Sequence, residues 1–287
     1  MENTPNLSAQ ITCASCQSPY AGKYCPECGE KQLDHHDFAI QHYLEESVEG
    51  ITHFDNKFFR SVKVLLTRPG MLTSYFSAGK RVSFLKPFQL FLICNLLFFL
   101  LAGKLNIFAQ PLYSFYAYEP YTLVGTKQAI LNKVSNDAQF KTLAIAFNER
   151  VGTDSKLFIA LFIPVLGLAF SLIFIRSKKY FTEHLVFATH YFSFVLIYFT
   201  AFTILVTKPF YWISHASFSS TFDMVSSVIN MTIFAVYFTI AAKRFYNTGF
   251  TWAVGASVLT VILFAVTLMS YRILIFYKIL WGLHVTA

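Results

Sequence analysis

Polar and apolar residues divide the chain in two. Up to residue 83 the apolar positions form a stripe at most, and from residue 84 onward they form long runs broken by short polar stretches. Five of those runs, 84–102, 157–175, 185–206, 224–242 and 250–271, approach the roughly 17–25 residues that an α-helix needs to cross a bilayer. The first reaches that length only when Lys86 snorkels to the interface. Residues 273–283 are apolar around Lys278 and too short for another crossing, so they are expected to continue the fifth helix, anchored by Tyr277 and Trp281. In the polar part, Leu44, Val48, Ile51, Phe58, Val62 and Leu65 recur at spacings of three, four or seven, which is one helical face. Arg68-Pro69-Gly70 closes that helix, because proline disfavours a helical conformation in the residue before it, and Met71 to Ser83 reads as a connector. The pattern predicts an all-α polytopic membrane protein of about five transmembrane helices.

Composition agrees. Of 287 residues, 55% are hydrophobic, 18% aromatic and 13% charged, and the mean hydropathy is +0.50, which excludes a soluble domain of this size. The net charge of +8 raises nucleic acid as a partner, but the basic residues collect at the ends of the apolar runs, where topology accounts for them. With five crossings, Lys80, Arg81, Lys86, Arg176, Lys178, Lys179, Lys243 and Arg244 fall on one side, and fewer flanking positives, Lys104, Lys156, Lys208, Arg272 and Lys278, fall on the other. The expected topology is a multi-pass protein of the cell membrane with a cytoplasmic N-terminus and an external C-terminus. Met1 to Gln10 lacks the apolar core of a signal peptide, so the N-terminal segment is expected to be retained.

Four of the five cysteines fall in Cys13-Ala-Ser-Cys16 and Tyr24-Cys25-Pro-Glu-Cys28-Gly-Glu-Lys31. Each C-x-x-C turn aims two sulfurs and several backbone N–H groups at one point, and two such knuckles complete a tetrahedral four-thiolate site. The expected ligands are Cys13, Cys16, Cys25 and Cys28, holding a structural Zn2+ in a small ribbon over 13–31, with residues 1–12 as a disordered lead. The short knuckle pair leaves no room for a hydrophobic core, so the metal would supply most of its folding energy. A cytoplasmic location disfavours disulfides; iron in the same four-sulfur shell stays open. The closed shell has no vacant position and implies no catalysis.

Residues 33–83 form a basic juxtamembrane region: the apolar stripe is flanked by Lys57, Arg60, Lys63 and Arg68, with Lys80, Arg81 and Lys86 beyond. This suits either an anionic membrane surface or docking on the protein's own helices, and both readings stay open. The 104–156 loop would be the sizeable external segment. Its Tyr113, Phe115, Tyr116, Tyr118 and Tyr121 read as an interface-hugging stretch, ahead of a short helix from Gln128 to Phe147.

Polar groups inside the runs make no recognisable site. Asn95 and Asn230 suit interhelical hydrogen bonds, and Arg272 can snorkel to the outer boundary. His184 and His190 are six residues apart, about 600° around a helix at roughly 100° each, so they face apart. His35, His36, His42 and His53 are scattered polar positions, and Cys94 is a small buried hydrophobe. No phosphate-binding loop, dinucleotide fingerprint or hydrolase motif is present.

These residues predict a non-enzymatic adaptor in the lipid bilayer whose ribbon and basic helix bind a cytoplasmic protein or an anionic lipid. A small transporter or channel component is the alternative, disfavoured for proton coupling because no Asp or Glu lies inside the five runs. A membrane enzyme ranks third, since only Glu183 with His184 approaches a polar constellation. Nucleic-acid binding is disfavoured because the ribbon itself carries only Lys23 and Lys31.

The set Cys13-x-x-Cys16, Gly22-Lys23-Tyr24-Cys25-Pro-x-Cys28-Gly29-x-Lys31, Arg68-Pro69-Gly70, Gly79-Lys80-Arg81 and Lys86-Pro87 resembles a bacterial membrane protein family known as domain of unknown function 3667. The resemblance covers roughly the first third of the chain. It implies a bacterial membrane protein with a cytoplasmic zinc ribbon, and it brings no catalytic residues.

Overall fold

The computed structural model describes residues 11–33, 56–102, 108–157, 159–215 and 220–283. The expected apolar positions Leu44, Val48 and Ile51 and the four histidines between 35 and 53 lie outside the described residues. Strands β1 (Ile11–Thr12) and β2 (Pro19–Tyr20) pair antiparallel, with Ile11 opposite Tyr20. The end of the expected disordered lead is therefore a strand. Helices follow: α1 (Asn56–Thr67), α2 (Met71–Ser77), α3 (Pro87–Ala102), α4 (Leu112–Ala117), α5 (Thr126–Leu131), α6 (Asp137–Leu157), α7 (Phe162–Ile173), α8 (Phe181–Phe202), α9 (Lys208–Ser214), α10 (Ser220–Tyr246) and α11 (Phe250–Gly282).

Their ends have local causes. Proline occupies the first position of α3, where its missing N–H is no loss. The Glu183 carboxylate accepts the Tyr180 N–H at 3.0 Å, half of a capping box opening α8. Between α8 and α9 the helix widens into a π segment, Thr203–Thr207, just ahead of Pro209, which cannot donate to the preceding turn. Asn247 (φ +49) takes the left-handed position that closes α10.

Among the described residues, three helices are long and apolar enough to cross a membrane: 181–214, 221–246 and 250–282. The count rises to four if 137–155 and 159–173 form one broken span. The expected five-span count thus stands unconfirmed. The first expected span is a helix of 16 residues, about 24 Å long at 1.5 Å per residue against a hydrocarbon core of about 30 Å. The second, expected at 157–175, contains an α-helix of only 12 residues. The fifth runs on to Gly282 as one helix, as the apolar tail after residue 273 implied.

The chain divides into two compact units. The first comprises Met1–Leu97, Ile163–Tyr198 and Ser219–Leu259. Its centre is aromatic: Phe238 meets Phe170 at 5.2 Å, Tyr191 at 5.3 Å and Phe187 at 5.7 Å, and Phe194 stacks on Tyr237 at 3.5 Å. The three Phe238 pairs, at 5.2–5.7 Å, each contribute about 0.5–1.5 kcal/mol beyond the area they bury. Helix α1 turns Phe58, Ser61 and Leu65 inward, and the Tyr237 hydroxyl donates to the Leu65 carbonyl at 2.8 Å. Of the two readings left open for α1, its Phe58–Leu65 face docks on the protein's own helices. Met71 to Ser83 is not a plain connector, since Met71–Ser77 is helical. Gly70, at φ +78, starts that helix where an added Cβ would lie 2.5 Å from the Ala241 carbonyl oxygen.

The second unit comprises Phe98–Phe162, Phe199–Phe218 and Thr260–Ala287. Here the expected interface-hugging loop is corrected. Phe115 and Tyr121 are buried, with Phe115 stacked on Phe276 at 4.6 Å and tilted against Tyr121 at 4.7 Å, while Tyr113 and Tyr118 are exposed. The single helix expected over 128–147 is two, α5 and α6, separated at residues 132–136. Arg272 donates to the Tyr121 hydroxyl at 2.8 Å, a partner within the protein in place of the expected snorkelling.

Candidate metal centre

The two C-x-x-C turns repeat one geometry at an offset of 12 residues. In the first, the Cys13 N–H bonds the Ser18 carbonyl and the Gln17 N–H bonds the Cys13 carbonyl; in the second, Cys25 bonds Glu30 and Gly29 bonds Cys25 in the same way. Gln17 (φ +65) and Gly29 (φ +74) are the left-handed residues that let the chain turn away after each second cysteine. The bridge Tyr24–Lys31 repeats the Thr12–Pro19 pairing. Two equivalent loops thereby face each other.

All four sulfurs lie within 4.8 Å of one another. Cys13 and Cys28 are 3.4 Å apart, and Cys16 and Cys25 are 3.5 Å apart, well beyond the S–S bond of about 2.05 Å. Four sulfurs at about 2.3 Å from a tetrahedral metal stand about 3.8 Å apart, so the shell needs only small adjustments to close on an ion. The cysteines are free and could hold a metal ion. Hydrogen bonding with the Ser18 hydroxyl and backbone lowers the Cys16 thiol to about 6. The Cys28 thiol is drawn down by the Glu30 N–H, but burial and the neighbouring sulfurs outweigh that and push it up to about 12.

The knuckles are not wholly coreless. Tyr20 is buried beside Cys13 and Cys25, with Ile11 packed on them. Expecting no hydrophobic core overlooked this pair, which the β1–β2 hairpin carries under the sulfurs.

A second contribution is Glu30, which is 3% exposed. One carboxylate oxygen accepts the Ser15 hydroxyl at 2.5 Å, the Arg81 N–H at 3.0 Å and the Val82 N–H at 3.2 Å. Gly79 (φ +86) comes close enough to the other side of this junction that an added Cβ would lie 3.1 Å from Leu33. The ribbon is thus fastened to the turn that precedes α3. An acidic residue just after a C-x-x-C-Gly turn is the available hint in the sequence, and it does not name its acceptor.

The remaining polar candidates do not converge. Cys94 is buried in α3, away from the ribbon by sequence and element. His184 Nδ1 lies 2.9 Å from the Tyr246 hydroxyl, and His190 Nδ1 lies 2.9 Å from the Thr73 hydroxyl. Tyr198 donates to Asn230 Oδ1 at 2.8 Å, the interhelical bond expected there; Asn95 Oδ1 is buried with no partner among the described residues, and the expected bond is missing. Glu183 is bound by Lys179 at 3.0 Å and by the Tyr180 N–H, which assigns it to the helix start.

Residues 55–99 match the model of a family described as "Protein of unknown function (DUF3667)", so the resemblance read from the sequence is shown over that stretch. The match takes in Arg68-Pro69-Gly70, Gly79-Lys80-Arg81 and Lys86-Pro87 and stops short of the four cysteines. Neither the curated proteins nor the solved structures contain a match to the chain.

Proposed function

We propose that the chain is a non-enzymatic membrane adaptor whose N-terminal ribbon holds a structural zinc ion and presents a docking platform for a cytoplasmic protein or an anionic lipid. In this reading α3 and the 137–173 pair cross the membrane together with the three long helices. Five crossings put the N-terminus in the cytoplasm of a bacterial inner-membrane protein and the C-terminus outside. Positive charge supports the orientation, with Lys80, Arg81, Lys86, Arg176, Lys178, Lys179, Lys243 and Arg244 then sharing the cytoplasmic side. Zinc is favoured by an all-thiolate shell of near-tetrahedral spacing in a reducing compartment.

The observation that carries the adaptor reading is the fastening of the ribbon by Glu30 to the Arg81–Val82 backbone. A partner seated on the ribbon is held in register with the turn leading into α3.

The test compares the full chain with a C13S/C16S variant. Metal analysis is expected to give one zinc per wild-type chain and none in the variant. Expression and topology are expected to persist while a cytoplasmic partner is lost from pull-downs, and fusions at Met1 and Ala287 are expected to report opposite sides. Specific solute flux in liposomes that survives loss of the ribbon would establish a transporter and overturn the adaptor.

A further inference from the structure

A cleft of about 630 Å3 lies in the first unit where α7 ends and α10 turns into α11, lined among others by Leu172, Ile175, Arg176, Ser177, Asn247 and Trp252. The volume falls within the roughly 300–1,000 Å3 usual for a small-ligand site. Phe174 and Tyr246, both in its lining, stack on each other at 3.9 Å and 7°. Its chemistry is divided. Its polar lining comprises Arg176, exposed and without an ion pair among the described residues, the buried Ser177 hydroxyl, without a hydrogen-bond partner among them, and Asn247 and Thr248. Its apolar lining includes the exposed Leu172 (64%), Ile175 (73%) and Trp252 (57%).

None of the lining residues is acidic. The carboxylate of Glu183 is occupied by Lys179, and Lys178 follows Ser177 in sequence. A cleft whose lining combines a guanidinium and hydroxyls with exposed aliphatic and indole surface fits a molecule with a phosphate at one end and a hydrocarbon chain at the other. A zwitterionic headgroup would bring an ammonium that finds no carboxylate in the lining. The position agrees: Arg176 ends one apolar helix and Trp252 lies in the first turn of another, the depth at which tryptophan settles at a headgroup boundary.

We propose that this cleft binds an anionic phospholipid from the surrounding bilayer, with the phosphate on Arg176 and Ser177 and an acyl chain along Leu172, Ile175 and Trp252. The inference rests on the helices being embedded in a membrane and is independent of the ribbon and its partner.

The test uses the full chain in uncharged detergent with W212F and W281F, so that Trp252 alone reports. It is titrated with phosphatidylglycerol carrying brominated chains and with the matching phosphatidylcholine, and inorganic phosphate is added as a competitor against the brominated phosphatidylglycerol. Saturable quenching by phosphatidylglycerol, at least fivefold tighter than by phosphatidylcholine, is expected. R176Q is expected to weaken it at least fivefold and R176K to restore most of it. N247G keeps the left-handed backbone, removes an amide and is expected to weaken binding at least threefold, which provides a second variant should R176Q fail to fold. Equal quenching by the two lipids, or unchanged affinity in the folded variants, overturns the site. Inorganic phosphate binding as tightly as the lipid identifies a soluble anion as ligand and overturns the lipid. Loss of partner capture by the ribbon leaves this outcome untouched, so the two readings fail separately.

Discussion

Glu30 and Val82 are 52 residues apart in sequence, and the carboxylate of one accepts the backbone N–H of the other at 3.2 Å. The same oxygen takes the Arg81 N–H and the Ser15 hydroxyl. Removing it leaves buried donors unanswered, at a cost of about 1–3 kcal/mol. E30A is expected to raise hydrogen exchange at residues 79–82 in the full chain while one metal per chain is retained. Unchanged exchange there would show that the ribbon is not fastened by this carboxylate.

The thiol environments set the pH dependence of metal binding. With Cys16 lowered to about 6 and Cys28 raised to about 12, the site at pH 7 holds thiol protons that a metal must displace. Protons therefore compete with the ion, and apparent affinity is expected to fall as pH drops from 8 to 6, with proton release on binding measurable in weakly buffered solution. C25S is expected to abolish tight binding; full stoichiometric binding by a variant lacking both Cys25 and Cys28 would falsify the four-thiolate site.

Two glycines separate backbone need from mere presence. G70A forces a side chain into the left-handed region and against the Ala241 carbonyl, whereas an added Cβ at Gly255 meets nothing within 4 Å. G70A is expected to lower the thermal midpoint of the purified protein by several degrees, and G255A to leave it nearly unchanged. Equal midpoints would mean that the Gly70 turn does not press on α10.

Helix α1 offers a contrast between its faces. Leu65 is 2% exposed and Phe59 is 68% exposed. L65A removes packed volume and is expected to cost about 2–5 kcal/mol; F59A is expected to change stability little. Denaturant titration of the two variants in the same detergent measures the difference, and a larger loss in F59A would reverse the assignment of the docked face.

What the sequence by itself determined is what depends on near neighbours. The apolar runs beyond residue 84 form helices, which satisfy their backbone hydrogen bonds within the segment, Arg68-Pro69-Gly70 ends α1 for steric reasons, and two C-x-x-C turns bring sulfurs together through their own hydrogen bonds. Tertiary structure decided what depends on distant partners. Helical spacing marks the stripe on α1, yet only the Tyr237–Leu65 bond, across 172 residues, shows what covers it. Tyr113, Phe115, Tyr118 and Tyr121 are all aromatic and close in sequence, and Phe276 decides that Phe115 is core while Tyr113 faces outward. Asn95 and Asn230 are the same residue in similar apolar surroundings, and only Asn230 has a tyrosine opposite it. Glu30 reads as one more exposed acid until the Arg81–Val82 backbone meets it. In each case the sequence states what a group can bond, and the partner is fixed by how separately formed helices and turns pack.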